Sequence, residues 1–175
     1  IAANASKSTS FANQQITAYF LAQEGLELAQ KGRDDLLLPE FIGSPLPAPN
    51  NDAWDAFTDD SSSGDFYHCY TNQGCGLEIN DDSNGTIEVV DCNDTNTSHQ
   101  DCRLYLSDDA DRRTRYTHDV SSNPAETDFI RTITFSETSN NKEVLVTSRV
   151  SWRTDSQIEE QSTVAITYLY NVYGR

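Results

Sequence analysis

"ANQQITAYFLAQEGLELAQKGRDD", residues 12–35, decides how this chain is built. Ala12, Ile16, Tyr19, Phe20 and Leu26 recur at helical spacing, and Ala18, Ala22, Gly25 and Ala29 form a second stripe of small residues beside them. Gln14, Gln15, Gln23, Glu24, Glu27 and Gln30 fill a polar face. The helix is expected to end between Gly32 and Asp35, ahead of Leu36-Leu37-Leu38-Pro39, because a proline biases the residue before it out of the helical region. Everything after this helix reads as strand and loop. The expected division is a helix over 1–35 and a β-rich head over 36–175, together one domain.

The strand signal is clearest in the last third. "FIRTITFSE" (129–137), "EVLVTSRVSWR" (143–153) and "STVAITYLYNVYG" (162–174) alternate along their length and are joined by polar turns. Val144, Val146, Ser148, Val150 and Trp152 share one face of the middle segment. In the last, Val164, Ile166, Tyr168, Tyr170 and Val172 alternate with Ala165, Thr167, Leu169, Asn171 and Tyr173. "DFYHCY" (65–70), "GCGLEI" (74–79), "TIEVVDC" (86–92) and "CRLYL" (102–106) read as shorter strands. A sheet of this kind needs one face covered, and the leading helix supplies an apolar stripe to cover it. The expected fold class is therefore α+β, one helix laid across an antiparallel meander. Four of the five prolines fall between Pro39 and Pro49, so that segment is irregular, pinned onto the head by Trp54 and Phe57. A tryptophan flanked by Asp52 and Asp55 has a rival reading as a sugar-stacking platform.

Size and charge exclude several functions. A chain of 175 residues can bury a core without help. With 28 Asp and Glu against 12 Lys and Arg, the formal net charge is −16, which argues against nucleic acid and anionic lipid as ligands. Within the polar stretch 107–128, Arg112, Arg113 and Arg115 are the only cationic cluster, expected to solvate a turn or pair with neighbouring Asp, with a partner-binding patch as the weaker alternative. No run of about 18 apolar residues spans a bilayer. Methionine is absent, position 1 included, and Ile1-Ala2-Ala3 reads as the tail of an apolar run cut away.

Cys69, Cys75, Cys92 and Cys102 are an even set clustered among loop residues, which favours two disulfides and an oxidising compartment. The local pairs Cys69–Cys75 and Cys92–Cys102 close short loops. The nested pairs Cys69–Cys102 and Cys75–Cys92 would staple a hairpin centred near Asn84-Gly85. The local pairs are the favoured of the two. Zinc is the rival, with His68 and His99 as extra donors, but the cysteine gaps do not have the two-to-four-residue spacing of structural zinc sites.

One segment has the outline of a calcium loop. From Asn80 to Asp91, oxygen-bearing residues stand at positions one, three, five, nine and twelve, with glycine at six. Asn80, Asp82, Asn84, Glu88 and Asp91 would donate side-chain oxygens and Thr86 its carbonyl. The competing reading is a plain hairpin turning on Asn84-Gly85, the strongest short hairpin signal. Asn-x-Ser/Thr triplets begin at Asn4, Asn84, Asn93 and Asn96; they could carry glycans outside the cell, although a chain rich in Asn, Ser and Thr contains several by chance. Nucleophile elbows, phosphate loops, dinucleotide fingerprints and the two-histidine zinc helix are all missing. An enzyme is not expected, and neither is a resident cofactor; calcium is the one candidate, with the plain hairpin the favoured reading of that loop.

"AYFLAQEGLELAQKGRDD" (18–35) resembles the exposed half of the N-terminal helix in type IV pilin-like proteins and pseudopilins, in particular those of small-genome bacteria that carry a prepilin-type methylation signal. The closing strands are similar to the terminal strands of the same group, and the four-cysteine middle fits it. The resemblance implies a non-catalytic subunit of an extracellular pilus-like filament, with the helix as stem and the sheet as head. Its partners would be copies of itself or related subunits, and it would touch a membrane only through an apolar stem segment missing from this sequence. The helix-packing positions would be Ile16, Ala18, Phe20, Ala22, Gly25 and Ala29, the small ones allowing close approach of the sheet or of neighbouring stems. The family's cleavage site and early glutamate are not in this sequence, so no assembly residue carries over. The alternative from another class is a secreted calcium- or carbohydrate-binding module, with Trp54, Tyr67 and Tyr70 as a platform.

Overall fold

The computed structural model describes residues 2–42, 52–80, 85–93, 102–107, 115–120, 124–138, 142–153 and 159–171. Among these residues a single long helix, α1 (Ala2–Ile42), precedes a short helix α2 (Asp52–Phe57), a 3-10 turn (Tyr67–Tyr70) and seven strands. These are β1 (Cys75–Asn80), β2 (Thr86–Asp91), β3 (Arg103–Ser107), β4 (Arg115–Thr117), β5 (Ala125–Glu137), β6 (Glu143–Trp152) and β7 (Gln161–Tyr170). The strands form one sheet, antiparallel at every pairing. The α+β class expected from the sequence is the observed one.

β5 is the spine of the sheet. One edge pairs along its length with β6, from Phe129↔Trp152 to Glu137↔Val144, and β6 in turn pairs with β7. The other edge is shared: Ile133 meets Cys75 of the β1–β2 hairpin, while Ile130, Glu126 and Ala125 meet β3 of the β3–β4 hairpin. β6 buries Val144, Val146, Ser148, Val150 and Trp152, the face that its period-2 alternation marks. α1 lies on this face and closes the core in two clusters. Leu28, Ala29 and Leu37 pack with Trp54, Phe57, Phe66, Leu77, Ile133 and Phe135; Ala18, Leu21 and Ala22 pack with Leu104, Phe129, Val150, Trp152 and Ala165.

The helix does not stop at Gly32–Asp35. It continues through Leu36-Leu37-Leu38 and Pro39 to Ile42. A proline inside a helix costs one i→i−4 hydrogen bond and distorts the turn before it. Here Leu37 is buried in the same cluster as Trp54 and Phe57 of α2, and Lys31 Nζ pairs with Asp35 at 2.8 Å one turn earlier. Tertiary burial of the extra turn outweighs the local breaker.

Residues 65–70 are not a strand. Phe66 points into the core and Cys69 lies in the 3-10 turn, bridged to Cys75 with the two Cα atoms 4.6 Å apart. The 3-10 turn brings Cys69 beside Cys75, and Gly74 at φ +73° supplies the reversal that only glycine takes cheaply. The polar stretch read as loop contributes β4 and the first residues of β5. The second bridge, Cys92–Cys102, has Cα atoms 4.8 Å apart. Each bridge closes a loop of about ten residues or fewer, and replacing Cys69 and Cys75 together by alanine is expected to cost about 2–3 kcal/mol through the unfolded chain. Chemical denaturation of the variant measures this; a midpoint equal to that of the parent would show that the bridge adds no stability.

Candidate functional site

α1 meets the sheet along its small residues. Ala18, Ala22 and Ala29 are fully buried, and Gly25 lies between them against Ser148 of β6. A Cβ added at Gly25 would lie 2.3 Å from Ser148 Oγ and 3.3 Å from Arg131 Cδ, so the close approach is possible because no side chain intervenes. Ile16 and Phe20, two of the six expected helix-packing residues, do not pack on the sheet. Ile16, Tyr19 and Phe20 are 56%, 52% and 65% exposed and face away from the sheet. The backbone can come near the strands only on the small-residue side, so Ile16, Tyr19 and Phe20 face outward, whereas Leu26 of the same stripe packs against both core clusters.

At the centre of the seam sits a buried cation that the sequence reading passed over. Arg131 of β5 is 2% exposed, in phase with Phe129, Ile133 and Phe135 on the core face. That phase, an arginine in the apolar register of an alternating strand, is the signal by which it could have been found. Its Nη1 donates to Glu24 Oε2 at 2.6 Å and to the Leu21 carbonyl at 3.4 Å, and its Nη2 donates to the Leu77 carbonyl at 3.2 Å. One guanidinium thereby ties α1, β5 and β1 together. Burial pulls its pKa down, opposed by the charge and hydrogen bond of Glu24 and by the charge of Glu78; the group stays cationic, as arginine does in proteins. Among the described residues, neither Arg131 Nε nor Ser148 Oγ finds a hydrogen-bond partner.

Glu78 faces this cation and also caps the start of the segment after β4. It accepts from His118 N at 2.9 Å and from Thr117 Oγ1. The His118 ring, fully buried, packs on Gly76, where a Cβ would come within 2.8 Å of Nε2. Glu24, Glu78, Arg115 and Arg131 line a hollow of about 60 Å³, far below the size of a small-molecule site. The cluster is therefore a joint between helix and sheet. A larger groove of about 420 Å³ runs between α1 and β2, lined by Gly32, Leu36, Phe66, Ile87 and Val89 with Asp35 and Asp65 at its rim.

The described calcium-loop residues are spread along a hairpin. Asn80 faces Thr86 at one end of the β1–β2 ladder, whereas Asp91 faces Cys75 at the other, five residues and roughly 17 Å away at the usual strand rise. Asn80 Nδ2 donates to Glu88 Oε2 at 3.0 Å. Asp91 accepts from Asn93 N at 2.9 Å and lies 3.5 Å from His68 Nδ1. Asp82 and Asn84 lie outside the described residues, as do Arg112, Arg113, His99 and Asn96. Gly85, at φ +75°, donates its N–H to the Asn80 carbonyl at 3.0 Å, a hairpin-type closure. Asp91 is thus not brought to the loop that the twelve-residue pattern requires. Among the described residues no group of three or more His, Cys, Asp or Glu gathers as a cation site.

All four cysteines are bridged, which removes them as zinc ligands. Trp54 is 1% exposed, its ring 5.7 Å from that of Phe57, so neither face is open to a sugar. Burial pushes the Tyr70 phenol well above its ordinary range, and its hydroxyl donates to the Phe57 carbonyl at 3.2 Å. That leaves Tyr67, half-buried, with its ring against His68, as the open member of the proposed platform. Among the described residues, no helix is long and apolar enough to cross a membrane.

The geometry defines a disulfide-bearing α+β head clamped to one long helix. No protein family, curated protein or solved structure matches this chain.

Proposed function

We propose that the protein is a non-catalytic subunit of an extracellular type IV pilus-like filament, in which α1 is the stem and the sheet is the displayed head. The observation that carries this reading is the sorting of side chains around α1. Small residues meet the sheet, while Ile16, Tyr19 and Phe20 form an exposed apolar stripe, with the Tyr19 and Phe20 rings 6.0 Å apart. Between residues 8 and 16 only Phe11 and Gln14 are even half-buried, so the front of the helix has little cover from its own head. An apolar stripe on an uncovered helix is what a bundle of stems packs together. Two disulfides support an oxidising, extracellular setting.

Replacing Phe20 by glutamate tests this. The full-length subunit is expected to lose incorporation into filaments sheared from cells by at least about tenfold, while its head keeps its stability to within about 0.5 kcal/mol because the side chain is exposed. Immunoblots of sheared filaments, beside denaturation of the purified chain, give both numbers. Incorporation equal to that of the parent subunit would remove the stripe from assembly and, with it, the main support for this reading.

A further inference from the structure

We infer that β7 is the contact by which two copies of this chain pair edge to edge, with their sheets joined across a two-fold axis. Among the described residues β7 pairs only with β6, and none of them pairs with its far edge. The outer face of β7 carries Val164, Ile166, Tyr168 and Tyr170, all about half exposed or more, with Ile166 at 59%. The sheet's other edges carry charge: Glu88 and Asp91 on β2, Arg115 on β4. Charges of that kind are how natural proteins blunt exposed strands. β7 reads "QSTVAITYLY", with no charge and no proline in ten residues. In a molecule of net charge −16, that neutral edge is where two copies can approach without placing like charges opposite each other.

The strand is also complementary to itself. An antiparallel pairing centred on Ile166 sets Ile166 against Ile166 of the second copy and Val164 against Tyr168, with Ser162 against Tyr170 at both ends. All of these lie on the outer face, because residues two apart share a side. β-branched and aromatic residues in directly opposed pairs are the favoured contacts of an antiparallel ladder, and the resulting contact is isologous, which closes at two copies. Behind it, Leu145 of β6 stands opposite Tyr168 and extends the apolar stripe inward. With no charged residue of either sign on β7, the edge offers a charged partner nothing to pair with; the neutral, self-matching pattern favours a second copy. α1 covers Ala165 and Leu169 on the inner face, leaving the outer stripe uncovered. This inference is independent of the filament reading, since it concerns the sheet edge and not the stem.

Analytical ultracentrifugation of the full chain is the test. The parent chain is expected to pass with rising concentration from its 19.5 kDa mass to twice that mass. Ile166→Glu puts two like charges face to face at the centre and is expected to weaken the dimer at least about tenfold, with the thermal melt of the monomer unchanged; Tyr168→Glu is the second variant, should the first fold poorly. Mixing Ile166→Glu with Ile166→Lys chains is expected to restore a dimer made of one of each, which only a register centred on residue 166 provides. A parent chain that stays monomeric up to its solubility limit overturns the inference and leaves the edge to a strand from another protein. Dimers unaffected by either glutamate overturn it as well, and a mixture that fails to recover overturns the register.

Discussion

Replacing Glu24 by alanine is expected to destabilise the protein by about 3 kcal/mol, although Glu24 is a surface-reaching residue. Removing one member of a buried ion pair costs about 3–5 kcal/mol because the other is left as an uncompensated charge. The lower end applies because the Glu24 side chain is 45% exposed and Glu78 still faces Arg131. Replacing Arg131 by methionine removes the charge instead of stranding it, and Glu24 can turn to water. The Leu21 and Leu77 carbonyls lose a donor, at about 1 kcal/mol for a typical hydrogen bond, while the apolar chain fills part of the space. The double variant is therefore expected to be more stable than Glu24→Ala alone, a non-additivity of about 2 kcal/mol in urea denaturation. A Glu24→Ala protein within about 0.5 kcal/mol of the parent would mean that the clamp is dispensable.

Replacing Trp54 by alanine is expected to cost about 3–5 kcal/mol and to lower the melting temperature by roughly 10 °C for a domain of this size. Trp54 closes one side of an aromatic cluster in which Phe57 lies 5.2 Å from Phe66 and 5.3 Å from Phe135, ring centre to ring centre. Removing the indole opens a cavity under α2 and loosens Leu37 of α1, which belongs to the same cluster. Differential scanning calorimetry reads the shift. If Trp54 were a sugar platform, the substitution would spare the melt and abolish binding to a glycan array; a lowered melt with no change on the array is expected.

What the sequence disclosed and what it withheld divide along a physical line. β5, β6 and β7 could be read because their alternation comes from burial on one face, which a period of two records directly. The β1–β2 hairpin was legible from Asn84-Gly85, and the helix from its periodicity. The inward face of α1 was not legible by size. Two stripes run along that helix, and Ile16, Tyr19 and Phe20 look like the core side until the sheet's demand for a close backbone favours Ala18, Ala22, Gly25 and Ala29. Local signals misled where tertiary packing overrode them: Pro39 reads as a stop yet lies within the helix, and "DFYHCY" reads as a strand yet coils around a short disulfide. Arg131 was hidden because a basic residue in a strand is normally assigned to the water side.

Neither covalent cross-link reaches α1. Cys69–Cys75 ties the 3-10 turn to β1, and Cys92–Cys102 ties the end of β2 to the start of β3. Tension applied along the helix must therefore pass into the sheet through non-covalent contacts alone, the apolar packing of Ala18 to Leu37 and the bonds of Arg131 to Glu24 and the Leu21 carbonyl. Under mechanical load the chain would yield first at that junction, with its cross-linked loops still closed, and an oxidising environment would do nothing to toughen it. Glu24→Ala in a single-molecule pulling experiment is expected to lower the force at which helix and head separate.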